Sequence, residues 1–381
     1  MIVSKLILKN WRNFRNVDVA LGERMFIVGA NASGKSNFLD VFRFLRDIAK
    51  QQGGGLQKAI EDRDGLSKIR CLAARRYPDV EIEVHLSDGD SEISTYKYAI
   101  GIRQEARGHR QPFLAYEKVW KGNDLILSRP DSDDKKDSER LKQTHLEQIN
   151  SNMAFRDIAR FFESVLYLHL VPQLLKFPNA FSGGQSDGDP FGKEFLKRVA
   201  NTPKKTRESR LRKIEDSLRH AVPQLKELTF IDEKGVPHLQ AIYEHWRPSG
   251  AKQREDQFSD GTLRLVGLFW SLLESESLLL LEEPELSLNA GIVRQLAGII
   301  HRSQRQKKRQ VFISTHSADL LTKEVGGEET LLLLPGAEGT EVKQASSIEA
   351  VRAMLESGFS VGEAVIPKIT PPQMEELSLG F

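Results

Sequence analysis

Four residues near the N-terminus have the types and the spacing of a phosphate-binding loop. Gly29, Gly34, Lys35 and Ser36 match the pattern G-x-x-x-x-G-K-[ST] within the stretch FIVGANASGKSNFLD. Glycines let the backbone curl so that successive N–H groups point at an anion, and the start of a helix favours negative charge. In such a loop the lysine reaches the β- and γ-phosphates and the hydroxyl binds Mg²⁺. A chance turn rich in glycine and serine is the alternative, but it would not also supply the strand and helix predicted on either side.

A second set of candidate residues follows two apolar runs in the last third of the chain. Residues 278–281 are four leucines, and they end at Glu282 and Glu283. Carboxylates at the end of such a strand can hold Mg²⁺ and polarise a water molecule. The run 310–313 is followed by His316, which we expect at the same sheet edge, facing the γ-phosphate. Taken singly, the glutamates could be helix-entry charges and His316 a capping residue, but their order after a phosphate loop favours chemistry.

The elements that must position these residues can be predicted from apolar periodicity. Residues 25–28 form the strand that enters the phosphate loop, and residues 37–45 form the helix that leaves it. Further runs are predicted to be strands, and the alternation of apolar and polar residues in 2–8 and 80–86 predicts an antiparallel sheet with one face covered by the core. These runs are residues 2–8, 17–21, 80–86, 95–102, 114–120 and 124–127.

The middle of the chain is predicted to be mainly helical. Residues 129–137, RPDSDDKKD, have the composition of a solvated loop and not of a metal cage. Helical patterns follow at 138–165 and 191–221, and strands are predicted at 225–231 and 239–246. The sequence thus predicts three segments: an N-terminal lobe over 1–128, a mainly helical insertion over 129–223 and a C-terminal lobe over 224–381.

Composition restricts the class of protein. The 381 residues are 39% hydrophobic and 28% charged, with a formal net charge of +2, which is ordinary for a globular chain. The single cysteine, Cys71, excludes internal disulfides and multi-cysteine zinc sites, and we expect it to be a small buried side chain. No apolar run approaches the ~20 residues needed to cross a bilayer, and the N-terminus lacks the pattern of a signal peptide. We therefore expect a cytoplasmic protein with no membrane partner.

Taken together, the motifs resemble the ABC-class, AAA-family ATPases of the branch that contains RecF, the SMC and Rad50 heads and the overcoming-lysogenization-defect (OLD) nucleases. The resemblance is closest to the small bacterial members without a long coiled coil. It implies an α/β fold: an ABC-type ATPase head with a mixed or parallel P-loop core sheet, an N-terminal antiparallel β lobe and a helical insertion. The matching stretches are residues 10–15, the Walker A loop, 258–262 as signature motif, 278–283 as Walker B, 285–289 as D-loop and His316 as switch histidine.

The resemblance also assigns roles within the site, with ATP and Mg²⁺ as cofactors and ATP hydrolysis as the reaction. Glu283 would be the general base, and His316 and Lys35 the other catalytic residues. Glu282 would take the metal position, where the broader ABC pattern has aspartate, and Ser36 and the Q-loop candidate Gln173 would complete the metal ligands. The residues expected to contact nucleotide are Arg12, Asn31, Ser33, Gly34, Lys35, Ser36, Asn37, Ser259 and Gly261.

Two stretches compete for the signature motif. Residues 181–185, FSGGQ, copy the ABC consensus more closely than residues 258–262, FSDGT. The second stretch precedes an amphipathic helical pattern over 263–273, whose N-terminal dipole could face a γ-phosphate, whereas the first precedes SDGDP. We therefore predict that 258–262 is the signature motif and that 181–185 is a loop.

The resemblance implies an ATP-sandwiched homodimer, in which the signature motif of one subunit completes the site of the other. It further suggests DNA or a nuclease or other effector protein as a partner, in anti-phage defence or DNA repair. Two basic clusters, 204–213 and 302–309, could contact DNA or could be ordinary solvated helix surface. A transporter-type ABC ATPase subunit and a nuclease in its own right are the alternatives. We expect no nuclease domain, because the chain after His316 is too short and no second catalytic constellation is present.

Overall fold

The computed structural model describes residues 1–74, 78–88, 94–105, 111–177, 191–192, 194–244, 250–274 and 278–370. The chain divides into two compact units. Unit 1 consists of Met1–Leu166, Ser277–Leu280 and Arg309–Phe381, and unit 2 of Tyr167–Glu276 and Leu281–Lys308. The three predicted segments 1–128, 129–223 and 224–381 describe the order of elements along the chain and remain a prediction.

Extended segments make up three sheets. In chain order the strands are β1 Ile2–Trp11, β2 Phe14–Ala20, β3 Arg24–Gly29, β4 Val80–Ser87, β5 Tyr96–Gln104, β6 Pro112–Lys121, β7 Asp124–Arg129, β8 Leu166–Leu168, β9 Leu225–Glu233, β10 Val236–Tyr243, β11 Ala251–Arg254, β12 Leu279–Glu282, β13 Val311–Thr315, β14 Thr330–Gly336 and β15 Gly339–Gln344.

Helices connect and cover these sheets. They are α1 Lys35–Ala49, α2 Leu56–Glu61, α3 Leu66–Ile69, α4 Ser132–Lys136, α5 Arg156–Glu163, α6 Pro172–Lys176, α7 Phe195–Asn201, α8 Lys204–Leu218, α9 Asp260–Glu274, α10 Ala290–Lys307, α11 Glu349–Glu356 and α12 Val361–Ile369. Short 3₁₀ turns occur at Ser138–Lys142, Met153–Phe155, Glu255–Gln257 and Ala345–Ser347. Among the described residues, no helix is both long and apolar enough to cross a membrane.

Unit 1 contains the predicted antiparallel sheet. Its strand order is β2-β1-β4-β5-β6-β7, and every neighbouring pair is antiparallel. In β4 the apolar residues Val80, Ile82, Val84 and Leu86 are all fully buried, while the residues between them are partly exposed. The alternation follows from the twofold period of side chains along a strand, and it confirms the predicted strand positions.

The phosphate loop leaves a second sheet, with the order β15-β14-β3-β13-β12-β8. Strand β3 is buried along its whole length and pairs in parallel with β13 and β14, whereas β14 and β15 are antiparallel. Strands β8 and β12 begin in unit 1 and end in unit 2. A core strand buried on both faces is expected in a parallel sheet, and the predicted mixed P-loop sheet is confirmed.

The prediction of a solvated loop at 129–137 is correct for most of these residues, which are exposed, but residues 132–136 form α4 and two of the charged side chains are buried. Arg129 and Asp134 are fully buried, and Arg129 binds both Asp134 and the buried Glu117 of β6. Glu117 also accepts the hydroxyl of Tyr98 and the backbone N–H groups of residues 145 and 146. Arg129 and Asp134 are therefore charged because they pair with each other and with Glu117 inside the unit.

The same network explains why residues 138–165 are not one helix, as the sequence pattern predicts. The carbonyls of residues 140 and 143 accept from Arg129. These carbonyls bond to the Arg129 side chain and not to the backbone N–H groups four residues later, as a helix would require. Regular α-helix resumes only at α5, and Cys71, elsewhere in unit 1, is buried as expected.

Unit 2 contains a three-stranded antiparallel sheet, β11-β10-β9, together with helices α6 to α10. The strands predicted at 225–231 and 239–246 correspond to β9 and β10, although residues 245–246 lie outside the described part of the chain. The predicted helical pattern 191–221 is divided at Pro203 into α7 and α8, because proline lacks the N–H that continues a helix.

Candidate functional site

The phosphate loop has the backbone geometry that its sequence predicts. Gly34 adopts φ +100, in the left-handed region, and directly precedes α1. A Cβ at this position would lie 2.1 Å from the Asn13 amide nitrogen, so only glycine fits. Lys35 opens the helix and its Nζ lies 3.0 Å from the Gly29 carbonyl oxygen and 3.2 Å from that of Ala30. The lysine thus folds over the loop, while Ser36 and Asn31 are exposed.

Asn13, in the β1–β2 turn, forms hydrogen bonds that support the phosphate loop. Its amide nitrogen donates to the Ser33 carbonyl at 2.8 Å and to the Thr340 hydroxyl at 2.7 Å, and its oxygen accepts from Asn37 at 2.8 Å. The Thr340 hydroxyl donates to the same Ser33 carbonyl at 3.0 Å. Asn37, predicted to contact nucleotide, therefore also anchors the loop. The loop conformation depends on three separate parts of unit 1.

Arg12, predicted to contact nucleotide, belongs to an ionic cluster on the phosphate-loop helix. Its guanidinium donates to Asp40 of α1 at 3.2 Å. Arg63 makes a two-pronged contact with the same carboxylate, at 3.0 and 2.8 Å. Burial alone would raise the pKa of Asp40, but Arg63 and two further arginines outweigh burial, and the pKa is lowered from its usual value. Asp40 therefore stays ionised and fixes the orientation of α1.

His316 lies where parallel strand ends predict it. Strand β13 pairs with β3 so that Thr315 is opposite Val28, one residue before the loop begins at Gly29. His316 follows immediately and is exposed. The switch-histidine candidate and the phosphate loop thus follow adjacent strand ends within unit 1, at one edge of the sheet.

The acidic candidates lie in unit 2. Glu282 ends β12, and the hydroxyl of Tyr167 in β8 donates to its Oε2 atom. The next residue, Glu283, adopts a backbone φ of +43, which is uncommon for a residue other than glycine. Strained backbone of this kind costs of order 1–3 kcal/mol and concentrates at functional sites. Burial lowers the pKa of the nearby Arg264 guanidinium, although Asp260, Glu285 and Glu283 attract its charge.

The signature candidate 258–262 forms a capped helix start. The Ser259 hydroxyl accepts the Thr262 N–H at 3.2 Å, and α9 begins at Asp260. Gly261 approaches the following loop so closely that a Cβ would lie 2.9 Å from the Ser287 carbonyl oxygen. The geometry agrees with the predicted helix after this motif. The rival stretch 181–185 lies outside the described residues.

Gln173, the Q-loop candidate, contacts the signature helix. Its amide donates to Asp260 at 2.8 Å, and Lys176 donates to the other oxygen of the same carboxylate at 2.7 Å. Helix α6 is thereby attached to the first residue of α9. Metal ligation by Gln173 remains a prediction.

The comparisons with known proteins agree with these motifs. The family described as "AAA domain, putative AbiEii toxin, Type IV TA system" matches residues 24–322. The chain belongs to this family. The matched range contains the phosphate loop, the signature candidate, Glu282, Glu283 and His316.

One curated relative and two solved structures are similar to this AAA-domain chain. It is 30% identical over 87 residues to the DNA replication and repair protein RecF of Synechocystis sp. (strain ATCC 27184 / PCC 6803 / Kazusa), a match that spans 23% of each chain. An SMC head bound to the C-winged helix domain of ScpA shares 15% identity and a TM-score of 0.55, over 93% of this chain and 99% of that one. A Pyrococcus furiosus SMC head domain with an extended coiled coil, bound to the C-terminal domain of ScpA, shares 16% identity and a TM-score of 0.52, over 94% and 99%.

These findings confirm the resemblance to ABC-type ATPases of the RecF/SMC branch and the ATPase-head fold. Ser36 and Glu282, the predicted Mg²⁺ ligands, each carry a hard oxygen atom, which is the ligand type that Mg²⁺ prefers. Within the described ranges, no group of three or more histidine, cysteine or acidic residues could hold a metal by itself. That is compatible with Mg²⁺, which takes one or two protein oxygens and completes its shell with phosphates and water.

Two contributors to the site were not identified from the sequence. Asn13 lay inside the recognised stretch 10–15, but its partner Thr340 is 327 residues away and carries no motif. Tyr167 lay in an apolar run without a polar pattern, and only the strand pairing brings its hydroxyl to Glu282.

Proposed function

We propose that this chain is an ATP-binding and ATP-hydrolysing molecular switch. The main support is the phosphate loop, in which a left-handed glycine, a lysine folded over the loop carbonyls and an exposed serine occur at the start of one helix. Membership of the AAA-domain family supports hydrolysis as the reaction. Backbone N–H groups at this helix start and the Lys35 charge would bind the β- and γ-phosphates.

The remaining residues divide the hydrolytic work. Mg²⁺, when bound through Ser36 and Glu282, would neutralise charge on the phosphate oxygens. Glu283 would accept a proton from the attacking water, and His316 would contact the γ-phosphate. The left-handed backbone at Glu283 would aim its carboxylate in a direction that a regular strand cannot offer. Gln173 would couple nucleotide binding to the position of helix α9 through its hydrogen bond to Asp260.

We further infer that the active form is a homodimer closed around ATP. The sequence has one copy of each motif, and in this class a signature motif acts in trans. The capped start of α9 presents Ser259 and Gly261 together, which suits contact with a γ-phosphate bound by another subunit. Such donors would stabilise charge only when the dimer is closed.

Turnover and binding assays test this mechanism. Lys35→Ala should weaken ATP binding, whereas Glu283→Gln should keep ATP bound and accumulate the dimer, because only water activation is lost. Ser259→Arg should bind ATP but not hydrolyse it. Mixing it with Lys35→Ala should restore part of the activity, since one composite site is then intact. Wild-type turnover by Glu283→Gln would exclude that residue as the base, and no recovery on mixing would exclude action in trans.

DNA is the partner class that we propose, either directly or through a nuclease or other effector, in DNA repair or anti-phage defence. The relative is named as a DNA replication and repair protein, which supports this direction. Helix α8 supplies an exposed basic face, but two of its arginines are used internally. Arg207 lies 3.9 Å from the centre of the Phe230 ring, and Arg210 packs on Trp270 and donates to the Glu274 carbonyl.

The DNA experiment should therefore change only the exposed basic residues. We define the α8 basic face as Lys204, Lys205, Arg212 and Lys213, which are all exposed. Replacing these four by glutamate should weaken DNA binding for all sequences alike. The slope of log K against log salt should fall by roughly 0.9 for each phosphate that the protein no longer neutralises. A control variant carries the same charge change at exposed positions of unit 1: Lys58, Lys68, Lys135 and Lys136.

Two readouts decide this proposal. Salt-titrated binding with a non-hydrolysable ATP analogue should affect the α8 variant and spare the control, and no affinity at low salt would exclude direct DNA contact. A cleavage assay on the purified protein should show no cutting. Metal-dependent cleavage that survives Glu283→Gln would instead favour a nuclease.

A further inference from the structure

The strand beside Glu282 supplies a buried hydroxyl aimed at its carboxylate. Tyr167 is the middle residue of β8 and is only 4% exposed. Its hydroxyl donates to Glu282 Oε2, and two residues later the His169 Nδ1 atom lies 3.4 Å from the Glu282 backbone oxygen. Tyr167 and His169 thus contact the side chain and the main chain of the proposed metal ligand, respectively.

This contact can fix the position of the Glu282 carboxylate. A phenol hydroxyl donates a charge-assisted hydrogen bond to a carboxylate, and such a bond is stronger than a neutral one. Since the tyrosine ring is packed in the core, its hydroxyl has a fixed position and can restrict the carboxylate to one orientation. Partners of this kind commonly orient metal ligands, and their loss typically costs 10–100-fold in metal affinity.

The length of the Glu282 side chain explains why a hydrogen bond from Tyr167 would matter. Glutamate has one methylene and one rotatable bond more than aspartate, so its carboxylate samples more positions and loses more side-chain entropy when it binds a metal. We propose that Tyr167 is a positioning residue that orients the Glu282 carboxylate for the Mg²⁺ of the nucleotide complex, and so offsets the extra freedom of glutamate at this position. The inference rests on the proposed role of Glu282 as a metal ligand.

A metal-binding measurement separates this role from simple packing. Mn²⁺ would replace Mg²⁺, and free Mn²⁺ would be counted by electron paramagnetic resonance in the presence of a non-hydrolysable ATP analogue. Tyr167→Phe should weaken Mn²⁺ binding at least about tenfold. Its affinity for the analogue without metal should stay at the wild-type value, because the phosphate loop of unit 1 keeps its own hydrogen bonds in this variant.

Tyr98→Phe is the matched control. Tyr98 is a fully buried tyrosine that donates to a buried glutamate, Glu117, at 3.1 Å. Its removal costs the same type of bond in unit 1, and we expect no change in Mn²⁺ affinity. If both variants lose metal affinity equally, the effect is general destabilisation and the proposal fails.

Two further variants distinguish failure of this proposal from failure of the proposed function. Glu282→Gln should lose Mn²⁺ affinity, and if it does not, Glu282 is not a metal ligand. If Glu282→Gln loses affinity while Tyr167→Phe does not, Glu282 keeps its role and Tyr167 has none. In a Glu282→Asp background, the shorter side chain cannot reach the tyrosine, so adding Tyr167→Phe should change Mn²⁺ affinity by less than about twofold. An undiminished effect there would overturn the proposal.

Discussion

Replacing Glu147 by glutamine should stabilise the protein relative to wild type, and this difference in unfolding free energy should grow as the pH rises. Glu147 accepts the Leu56 N–H at the start of α2, at 2.6 Å, and contacts Thr144. Burial raises the pKa of this carboxyl to about 7 from its ordinary 4.5, and the charge of Glu117 adds to the rise, against the Leu56 hydrogen bond. Glutamine keeps the size and the accepting oxygen but cannot ionise.

The sign follows from the direction of the shift. A carboxyl with a raised pKa in the folded state contributes its full stability only below the unfolded pKa, near 4.5, and loses it as the pH rises through about 7. The rise in pKa from 4.5 to about 7 corresponds to about 3 kcal/mol, at about 1.4 kcal/mol per pH unit. Between about pH 5 and about pH 8, the variant should therefore gain about 2 to 3 kcal/mol in unfolding free energy relative to wild type.

Chemical denaturation across this pH range measures the effect, followed by a probe in unit 1. The pKa of the neighbouring His145 is lowered to about 4, first by burial, and its contribution is common to both proteins and cancels. Glu139→Gln is the control, because Glu139 is an exposed glutamate that pairs with Lys142 on the surface. A stability difference that stays constant with pH, or that favours wild type at high pH, would refute the reasoning.

Two further predictions concern the loop and the buried ion cluster. Gly34→Ala should abolish nucleotide binding while the protein remains folded, because the added Cβ would clash with Asn13 and a φ of +100 suits only glycine. A fluorescence titration with nucleotide measures the effect. Gly22→Ala is the control and should bind normally, because the nearest atom to its added Cβ is 3.7 Å away. Arg129→Met should lower the unfolding free energy by about 3–5 kcal/mol in denaturant titrations, because two buried carboxylates lose their partner. Arg103→Met, which removes an exposed pair, should cost less than about 1 kcal/mol, and equal losses would contradict the role of burial.

Sequence patterns were sufficient where local chemistry fixes the structure. The glycine and lysine spacing of the phosphate loop, the alternation in β4 and the leucine run before Glu282 each specify one local conformation, and the structure has all three. The order of the motifs along the chain also predicted the resemblance to ABC-type ATPases of the RecF/SMC branch, which the comparisons confirm.

Long-range partners account for what the sequence did not predict. The sequence gives no sign that Arg129 and Asp134 are buried within an otherwise exposed stretch, because their partner Glu117 lies on another strand, β6. Residues 138–165 have a helical pattern, but Arg129 and Glu117 take over their backbone hydrogen bonds. Likewise, Arg207 and Arg210 have the pattern of a DNA-binding surface, but aromatic rings of unit 2 lie beneath them.

The contact between Thr340 and the phosphate loop bears on where the ATPase module ends. The matched family range stops at residue 322, and His316 is the last recognised motif. Yet the β14–β15 hairpin returns to the loop, where Thr340 binds Asn13 and Ser33, and the Thr340 N–H bonds the Asn13 carbonyl at 2.8 Å. A fragment trimmed to the motifs would retain every proposed catalytic residue but would lose these hydrogen bonds to the phosphate loop. We therefore expect that a fragment able to bind nucleotide must extend past His316 and include the β14–β15 hairpin.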